Sequence, residues 1–385
     1  MHPQNKHLAF YTENSLAPVR QFVDTENLMV YRGALYRGLG IPLGLIAGKK
    51  VLEVACGTGQ NSLLLAAQFP ESLTLVEPNP TGMRHIVEQY ENLKIPHTKP
   101  VLKQQRLEDF NSDCSYDLVI CENWLGSRAY ERELFSKLMG LCGTQGVLIT
   151  TTIAPIGIFP NMLRRIISCR VAENATGESL TDILVDLWTP HLATMPGMTR
   201  PKLDWVQDNM VNPAYRTILI SPVTLLQETC GKFDLLGTFP KFAQDFRWFK
   251  DIKNNSTENL TYFSQEYYKW CHGFIDYNFA PERGEISENK KLDDVCSYLF
   301  QCIGEWEISD LNNRANSWSD ILKTLENITD ISKQIYPGHL SKKIERAIKL
   351  TVASNLDLDA IRLSSEFANL FGRETVYVSF SRKLT

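Results

Sequence analysis

What the chain lacks narrows its function before any motif is read. Its nine cysteines include no C-x-x-C pair and no grid of cysteine and histidine at zinc spacing. That excludes a zinc finger and a paired-thiol redox centre, and no metal site is expected. Single cysteines such as Cys56, Cys114, Cys121 and Cys142 suit small core residues in a reducing compartment. An excess of charge of one sign is also missing: 40 lysines and arginines stand against 44 aspartates and glutamates, a net −4. Such a balance gives no general field for nucleic acid or anionic membranes, so neither is expected as a partner. The short basic stretch from Arg247 to Lys253 reads as a solvated face. No apolar run suits a membrane span, because the most apolar segment, Val147 to Ile167, is broken by Pro155, Pro160, Arg164 and Arg165. The N-terminus shows no charged start followed by an apolar stretch, so no secretory signal is read and a cytoplasmic protein is expected. Repeats and low-complexity segments are absent too. A composition of 43% hydrophobic and 22% charged residues makes disorder an unlikely default, and 385 residues suit one large or two moderate domains.

What is present concentrates in Val51-Leu-Glu-Val-Ala-Cys-Gly-Thr-Gly-Gln-Asn-Ser62. A short run of strand character enters Cys56-Gly57-Thr58-Gly59, and the helix-like run Leu63 to Phe69 follows. Two glycines one residue apart let the backbone turn tightly and approach a ligand at a strand end and a helix start. Three details separate the nucleotide cofactors such a loop could serve. The third glycine of a dinucleotide fingerprint is replaced by Ser62. Glu53 lies four positions before Gly57, where a carboxylate repels a pyrophosphate and attracts a ligand bearing an ammonium and a sulfonium. A second strand, Ser72 to Glu77, ends in a carboxylate 18 residues after Gly59, the place from which a doubly wound sheet brings an acid to the hydroxyls of a ribose.

The run E-x-A-C-G-T-G followed by L-V-E-P resembles the cofactor site of the class I S-adenosylmethionine-dependent methyltransferases. A nicotinamide-binding Rossmann domain is the structural rival, and the missing glycine counts against it. The resemblance implies S-adenosylmethionine as cofactor, with Glu53, Ala55, Gly57, Thr58, Gly59 and Asn61 in the loop, Glu77 on the ribose and Pro78-Asn79 beside the adenine. The adenine amine is met in this family by an acidic stretch after the third strand, here Leu107-Glu108-Asp109-Phe110. Arg106 stands where the family more often has an aspartate, which leaves open whether Glu108, Asp109 or backbone amides take that role. After the fourth strand, Cys121-Glu-Asn-Trp-Leu-Gly126 would line the methyl side. It lacks the N-P-P-Y or D-P-P-Y run of amine-directed nucleic-acid and glutamine methyltransferases. Glu122 could be a base, a substrate partner or a contact to the cofactor's ammonium, and Trp124 a substrate contact.

The alternation of strand and helix from residue 49 predicts a parallel α/β sheet. Strands are expected at 50–55, 73–77, 101–105, 117–121 and 146–152, with helices at 60–69, 80–93 and 130–141. Gly143 and Gly146 are read as bracketing a tight turn into the fifth strand. Ser221-Pro222 starts a helix that Gly231 stops, and Phe233 to Phe239 reads as a sixth strand. The alternating Thr375 to Arg382 is inferred to be the seventh, as in the Rossmann-like seven-stranded sheet of this family. The expected organisation is an N-terminal helical lid at 1–48, a methyltransferase core at 49–155, a cap or acceptor insertion at 156–216, core again at 217–245, a helical insertion at 246–372 and a closing strand at 373–385. In the N-terminal piece, helical patterns fit around Ser15 to Phe22 and around Glu26 to Leu39. In the large insertion, Val295, Leu299, Ile303 and Trp306, and then Trp318, Ile321, Leu325, Ile328, Ile331 and Ile335, recur at helical steps as in a bundle core.

The segment Thr189 to Pro213 collects His191, Arg200, Asp204, Trp205, Asp208 and Asn209, and is the best acceptor-site candidate. Histidine is poised to take a proton near neutral pH, so His191 is the first choice of base, with His272 behind it. A loop histidine capping backbone groups is the plain alternative. Asp204 and Asp208 could pair as carboxylates, bind Arg200 or be solvated. The resemblance extends over roughly 40 to 250 plus the last strand, and the arrangement resembles a bacterial branch of largely undefined substrate whose sixth strand leads into an aromatic and basic run like Phe246-Arg-Trp-Phe-Lys-Asp251. A large helical insertion suits the shaping of a pocket, so the leading reading is methylation of an oxygen or nitrogen on a small or medium-sized metabolite, such as a secondary metabolite or sugar. An RNA- or protein-modifying enzyme with the helical insertion as docking surface, and a non-catalytic cofactor-binding scaffold, are the alternatives. A homodimer through the helical insertion is left open.

Overall fold

A computed structural model of the protein describes residues 3–17, 24–128, 130–173, 175, 177–212 and 218–384. Runs of β-branched and aliphatic residues form seven strands: β1 Lys50–Val54, β2 Ser72–Val76, β3 Val101–Lys103, β4 Tyr116–Cys121, β5 Cys142–Ile153, β6 Phe233–Phe239 and β7 Thr375–Arg382. They make one sheet in the order β3-β2-β1-β4-β5-β7-β6. The strands from β3 to β5 pair in parallel, and β6 and β7 pair antiparallel. The inner strands are covered on both faces, which is why they carry near-continuous apolar sequence rather than alternation. Val51, Leu73, Leu75, Leu118 and Ile120 pack with Leu63, Leu64, Ile86 and Tyr36 in one core, joined by Leu28 and Leu35 of the helix Thr25–Gly38 and by its C-cap Leu39.

The chain divides into two compact units. The sheet unit is drawn from residues up to Thr152, from Ile220–Glu266 and from Val376 onward; the helical unit is Ile153–Leu219 with Tyr267–Thr375. The segments expected as separate insertions at 156–216 and 246–372 therefore contribute to one helical unit, except that 246–266 belongs to the sheet unit. The reason is local: Lys383, just past β7, donates to Ser256 Oγ at 3.1 Å and Asn254 Oδ1 at 3.4 Å, and Cys230 Sγ meets Ser256 O at 3.5 Å. Within the helical unit the long helices Ile286–Ile308 and Leu311–Ile335 lie side by side. Leu299, Ile303, Trp306, Ile321, Leu325 and Ile328 are buried there as expected, while Val295 is half-buried and Leu292 and Cys296 take the inner face.

Two further expectations need adjustment. β5 begins at Cys142 rather than after a turn at Gly143 and Gly146. Its register slips between Tyr116↔Cys142 and Leu118↔Val147, so the strand opens with a bulge at Gly143 to Gly146. A Cβ on Gly146 would come within 2.9 Å of the carbonyls of Gly143 and Tyr116, so only glycine fits the bulge. Helices occupy Pro3–Glu13 and Thr25–Gly38. The helical pattern expected from Ser15 to Phe22 falls mostly on 18–22, outside the described residues, and Ser15 to Ala17 are not helical.

Candidate active site

Three neighbouring strands end at one level. Val54 of β1 pairs with Val76 of β2 and with Cys121 of β4, so Ala55, Glu77 and Glu122 are the first residues beyond the sheet on adjacent strands. β1 lies between β2 and β4, where the strand order reverses, and an open sheet leaves a ligand crevice at such a point.

The loop after β1 is built from left-handed backbone. Ala55, Gly57 and Gly59 have φ of 56°, 58° and 73°. The alanine is an uncommon occupant of that region and is fixed by its N–H on Val76 O at 2.8 Å. A Cβ on Gly59 would meet Ile86 Cγ1 at 2.8 Å, so both space and φ demand glycine. Ser62, in place of a third glycine, donates to Gly59 O at 2.6 Å and lies 2.9 Å from Tyr90 Oη, tying the loop to the next helix. Gln89 Nε2 donates to Thr58 O at 2.9 Å. Asn61 leads into the helix Ser62–Ala66 without a side-chain capping bond. Gly82, in the helix Pro80–Asn92, was not among the expected site residues. A Cβ there would sit 2.6 Å from Gly57 O, so Gly82 lets this helix press against the loop. In sequence it is only a poor helix former near a helix start.

Glu77 holds this loop together. Its Oε2 accepts the Gly57 N–H at 2.8 Å and its Oε1 accepts the Asn79 N–H at 2.9 Å. Burial pushes its carboxyl up to about 7, against the pull of those two amides. Each oxygen still has a lone pair for a further donor. Asn79, next to Pro78, caps the helix Pro80–Asn92 through the Thr81 N–H at 3.0 Å and donates to Leu16 O at 2.8 Å.

Beside this loop lies a buried cluster of charge. Arg32, from the helix Thr25–Gly38, donates to Glu122 Oε1 at 2.7 Å with both side chains at or below 5% exposure. Tyr36, one turn on, lies 3.4 Å from the same guanidinium nitrogen. Glu53 is 3% exposed, and burial, reinforced by the Glu122 charge and only partly offset by Arg32, pushes its carboxyl up to about 8. Burial opposes the charge on Arg32, but Glu122 outweighs it and the guanidinium stays firmly charged. Within this cluster three buried atoms have no hydrogen-bond partner: Glu53 Oε2, Glu122 Oε2 and Arg32 Nε. Unpaired buried polar atoms are costly, so two open carboxylate oxygens and one open N–H together suit a ligand with a cationic and an anionic group. Arg32 lies in the N-terminal piece and was not among the expected site residues. Its signal was present as an arginine one turn from Tyr36 on a helix face otherwise filled by Leu28 and Leu35.

The rest of the rim is polar and tied down. Leu107 is buried, and Glu108 pairs with Arg106 at 2.5 Å, so the residue that departs from the family pattern holds the acid beside it. After β4, Asn123 takes φ 57° and gives its N–H to Thr151 Oγ1 at 2.7 Å. Glu131, 1% exposed, then accepts the N–H groups of Gly126, Ser127 and Arg128 at 2.7, 2.8 and 3.1 Å. That carboxylate fixes the segment carrying Trp124, which is half-buried with its carbonyl accepting from Arg128 at 3.2 Å.

The expected acceptor residues sit in the helical unit, and their surroundings correct two readings. His191 is not a loop residue. It is fully buried near the end of the helix Gly177–Leu192, with Nε2 3.0 Å from Ile361 O, Nδ1 3.3 Å from Arg164, and Trp188 and Phe367 edge-on to its ring. Burial and the Arg164 charge push it down to about 3, so it stays neutral and is a poor base. His272 is likewise buried and pushed down, chiefly by burial, with Nδ1 2.9 Å from Asn289 Nδ2. Asp204 and Asp208 do not stand as a carboxylate pair. Arg200, 3% exposed, donates to Asp204 at 2.8 Å and to Asp208 at 2.8 Å. Trp205 and Asn209 are buried in the same short helical stretch, Asn209 donating to Trp205 O at 2.9 Å. These residues come together as a buried framework.

A cavity of about 190 Å³ lies elsewhere, beside the antiparallel pair β6 and β7, and shares no residue with the glycine loop. Among the described residues no three histidines, cysteines, aspartates or glutamates gather to hold a metal ion, and no helix is long and apolar enough to cross a membrane.

Residues 51–146 match the family model described as a methyltransferase domain. No curated protein matches the chain. Solved structures that match include a magnesium protoporphyrin IX methyltransferase from Synechocystis PCC 6803 with bound S-adenosylmethionine, at 18% identity over 40% of this chain and 63% of that one, TM-score 0.27. An N-methyltransferase from Bradyrhizobium japonicum WM9 in complex with S-adenosyl-L-homocysteine matches at 17% identity over 39% of this chain and 74% of that one, TM-score 0.30. The chain thus spans under two thirds of the first of these relatives.

Proposed function

We propose that residues 51–146, which match the methyltransferase-domain model, form a class I S-adenosylmethionine-dependent methyltransferase domain, and that the protein transfers a methyl group to an oxygen or nitrogen of a small or medium-sized metabolite in the cytoplasm. The observation that carries the donor half is the buried Arg32, Glu53 and Glu122 cluster with its three open atoms. Those atoms fit the amino-acid end of S-adenosylmethionine: Glu53 and Glu122 would take the ammonium, and Arg32 Nε the carboxylate. Glu77 would accept from the ribose hydroxyls, with Pro78, Asn79, Leu107 and Glu108 around the adenine. Gly57, Thr58, Gly59 and Asn61 would bring backbone close to the ligand.

Bound S-adenosylmethionine supplies a methyl group already activated on a sulfonium. The chain's own task is then to orient and to exclude water. Ion pairing to Arg32 keeps Glu122 fixed in its buried place, and Glu131 locks the segment that presents Trp124, proposed to contact the acceptor. The free cysteines support a reducing compartment.

Calorimetric titration of the purified protein with S-adenosylmethionine, S-adenosylhomocysteine and NAD tests the reading. Binding of both adenosyl ligands and not of NAD is expected, and binding of NAD alone would overturn it. Donor-labelled methyl incorporation into a small-molecule extract, and not into RNA or protein, checks the acceptor class.

A further inference from the structure

The aromatic and basic run after β6 has no part in the site above, and its placement suggests one. Phe246, Trp248 and Phe249 are 81%, 59% and 66% exposed. They are held out rather than left loose. Arg247 between them turns inward, donating to Asn259 Oδ1 at 2.9 Å, pairing with Asp245 at 2.7 Å and stacking over the Tyr262 ring at 4.3 Å. The Phe246 N–H is fixed on Tyr262 Oη at 3.0 Å, and a short turn at Phe249–Asp251 closes with the Asp251 N–H on Trp248 O at 2.8 Å. With its alternate neighbour anchored on the helix Ser256–Trp270, each aromatic is presented to solvent. Ile252, at 42%, extends the patch. A cluster of exposed aromatics fixed in this way marks an interaction site.

The flanking charge selects the partner. Residues 241 to 253 hold four cations (Lys241, Arg247, Lys250, Lys253) and two carboxylates (Asp245, Asp251), a local +2 on a chain of net −4. Arg247 and Asp245 neutralise one another. Lys241, Lys250 and Lys253 are exposed, with no carboxylate partner among the described residues, and Lys250 lies 5.9 and 5.7 Å from the Trp248 and Phe249 rings. Tryptophan and phenylalanine seated at headgroup depth, with lysines reaching phosphates beside them, are the means by which a surface loop holds an anionic bilayer. We propose that the loop from Lys241 to Lys253 docks the protein on the anionic face of a membrane. No span is involved, and the near-neutral global charge does not oppose it, because the interaction acts within a Debye length of the loop.

The test is sedimentation of the full-length protein with vesicles of phosphatidylcholine alone or with about one third phosphatidylglycerol, at low and high salt. Binding at least about tenfold tighter to the anionic vesicles, weakened by salt, is expected. The variant F246S/W248S/F249S should lose binding at both salt concentrations. K241Q/K250Q/K253Q should lose about fivefold per lysine at low salt and little at high salt. Both variants should titrate S-adenosylmethionine like the wild type, which separates failure of docking from failure of the cofactor reading. Equal binding to both lipids, no binding to either, or retention by both variants would overturn the proposal. A wild-type dimer in light scattering that the aromatic variant dissolves would overturn it too, and assign the patch to a second copy of the chain.

Discussion

Two buried clusters in this protein have the same composition and opposite wiring. Each holds one arginine and two carboxylates: Arg32 with Glu53 and Glu122 in the sheet unit, Arg200 with Asp204 and Asp208 in the helical unit. In the second, the guanidinium bonds both acids, each at 2.8 Å. In the first it bonds only Glu122, at 2.7 Å, while Glu53 Oε2, Glu122 Oε2 and Arg32 Nε bond nothing. Burial of charge is therefore no guide to function by itself. A cluster whose cation bonds both of its acids is framework, whereas one that leaves an acid without the cation, and open acceptors beside an open donor, is shaped for something it does not contain.

The comparison breaks most sharply where the closed cluster is cut. Arg200→Met leaves the buried Asp204 and the half-buried Asp208 without their cation, so a loss of about 3–5 kcal/mol in unfolding free energy is expected by denaturant titration. The fraction still folded should bind S-adenosylmethionine with wild-type affinity. Weakened binding per folded molecule would return Arg200 to the site. Glu53→Gln should do the reverse. It removes a carboxylate that burial already disfavours, so stability should hold or rise, while donor affinity falls by about 2–3 kcal/mol, roughly 30- to 150-fold in Kd. Unchanged calorimetric affinity in that variant would mean that the open atoms face no ligand. Gly82→Ala sharpens the contrast through the backbone. Alanine normally favours a helix by about 1 kcal/mol, yet here its Cβ would meet Gly57 O at 2.6 Å. The expected net effect is a loss of about 1–3 kcal/mol shared between folding and donor binding, and a gain in thermal stability with intact binding would show that the helix and loop are not pressed together.

The same contrast explains what could be read from the sequence. The strands were legible because inner parallel strands are continuous apolar runs, and Gly57, Gly59, Glu53 and Glu77 because a turn and two strand-end acids fall at fixed spacing. Residues 189–209 misled for a physical reason. Polar and ionisable side chains crowded within a few positions look alike whether they face a ligand or one another, and only burial and bonding distances show that Arg200 closes on Asp204 and Asp208. His191 misled likewise: its neutral, buried state depends on Arg164, Trp188, Phe367 and Ile361, partners far apart in sequence. Arg32 was missed from the opposite direction, since its place on an apolar helix face marks a buried arginine but its partner Glu122 is 90 residues away.

The smallest effect, and the one that reports most directly on the open cluster, is its response to pH. Glu53 and Glu77 are raised by burial to about 8 and about 7, above the 4.5 of an unburied glutamate. Between those limits the free folded protein keeps protons that the unfolded chain has released. Its stability should therefore be fullest near pH 4.5, as far as these two groups decide it, and should fall as pH rises toward 8. A cation placed beside Glu53 favours the ionised form, so donor binding must expel the proton. Kd should then tighten about tenfold per pH unit as pH rises from 7 to 7.5, a range in which the ligand's own ammonium stays largely charged. Below pH 7 the slope should steepen as Glu77 gives up a second proton. Calorimetry in buffers of different ionisation enthalpy measures that release directly. In Glu53→Gln the proton assigned to Glu53 should vanish and the one assigned to Glu77 remain, an outcome that a cluster closed like that of Arg200 could not produce.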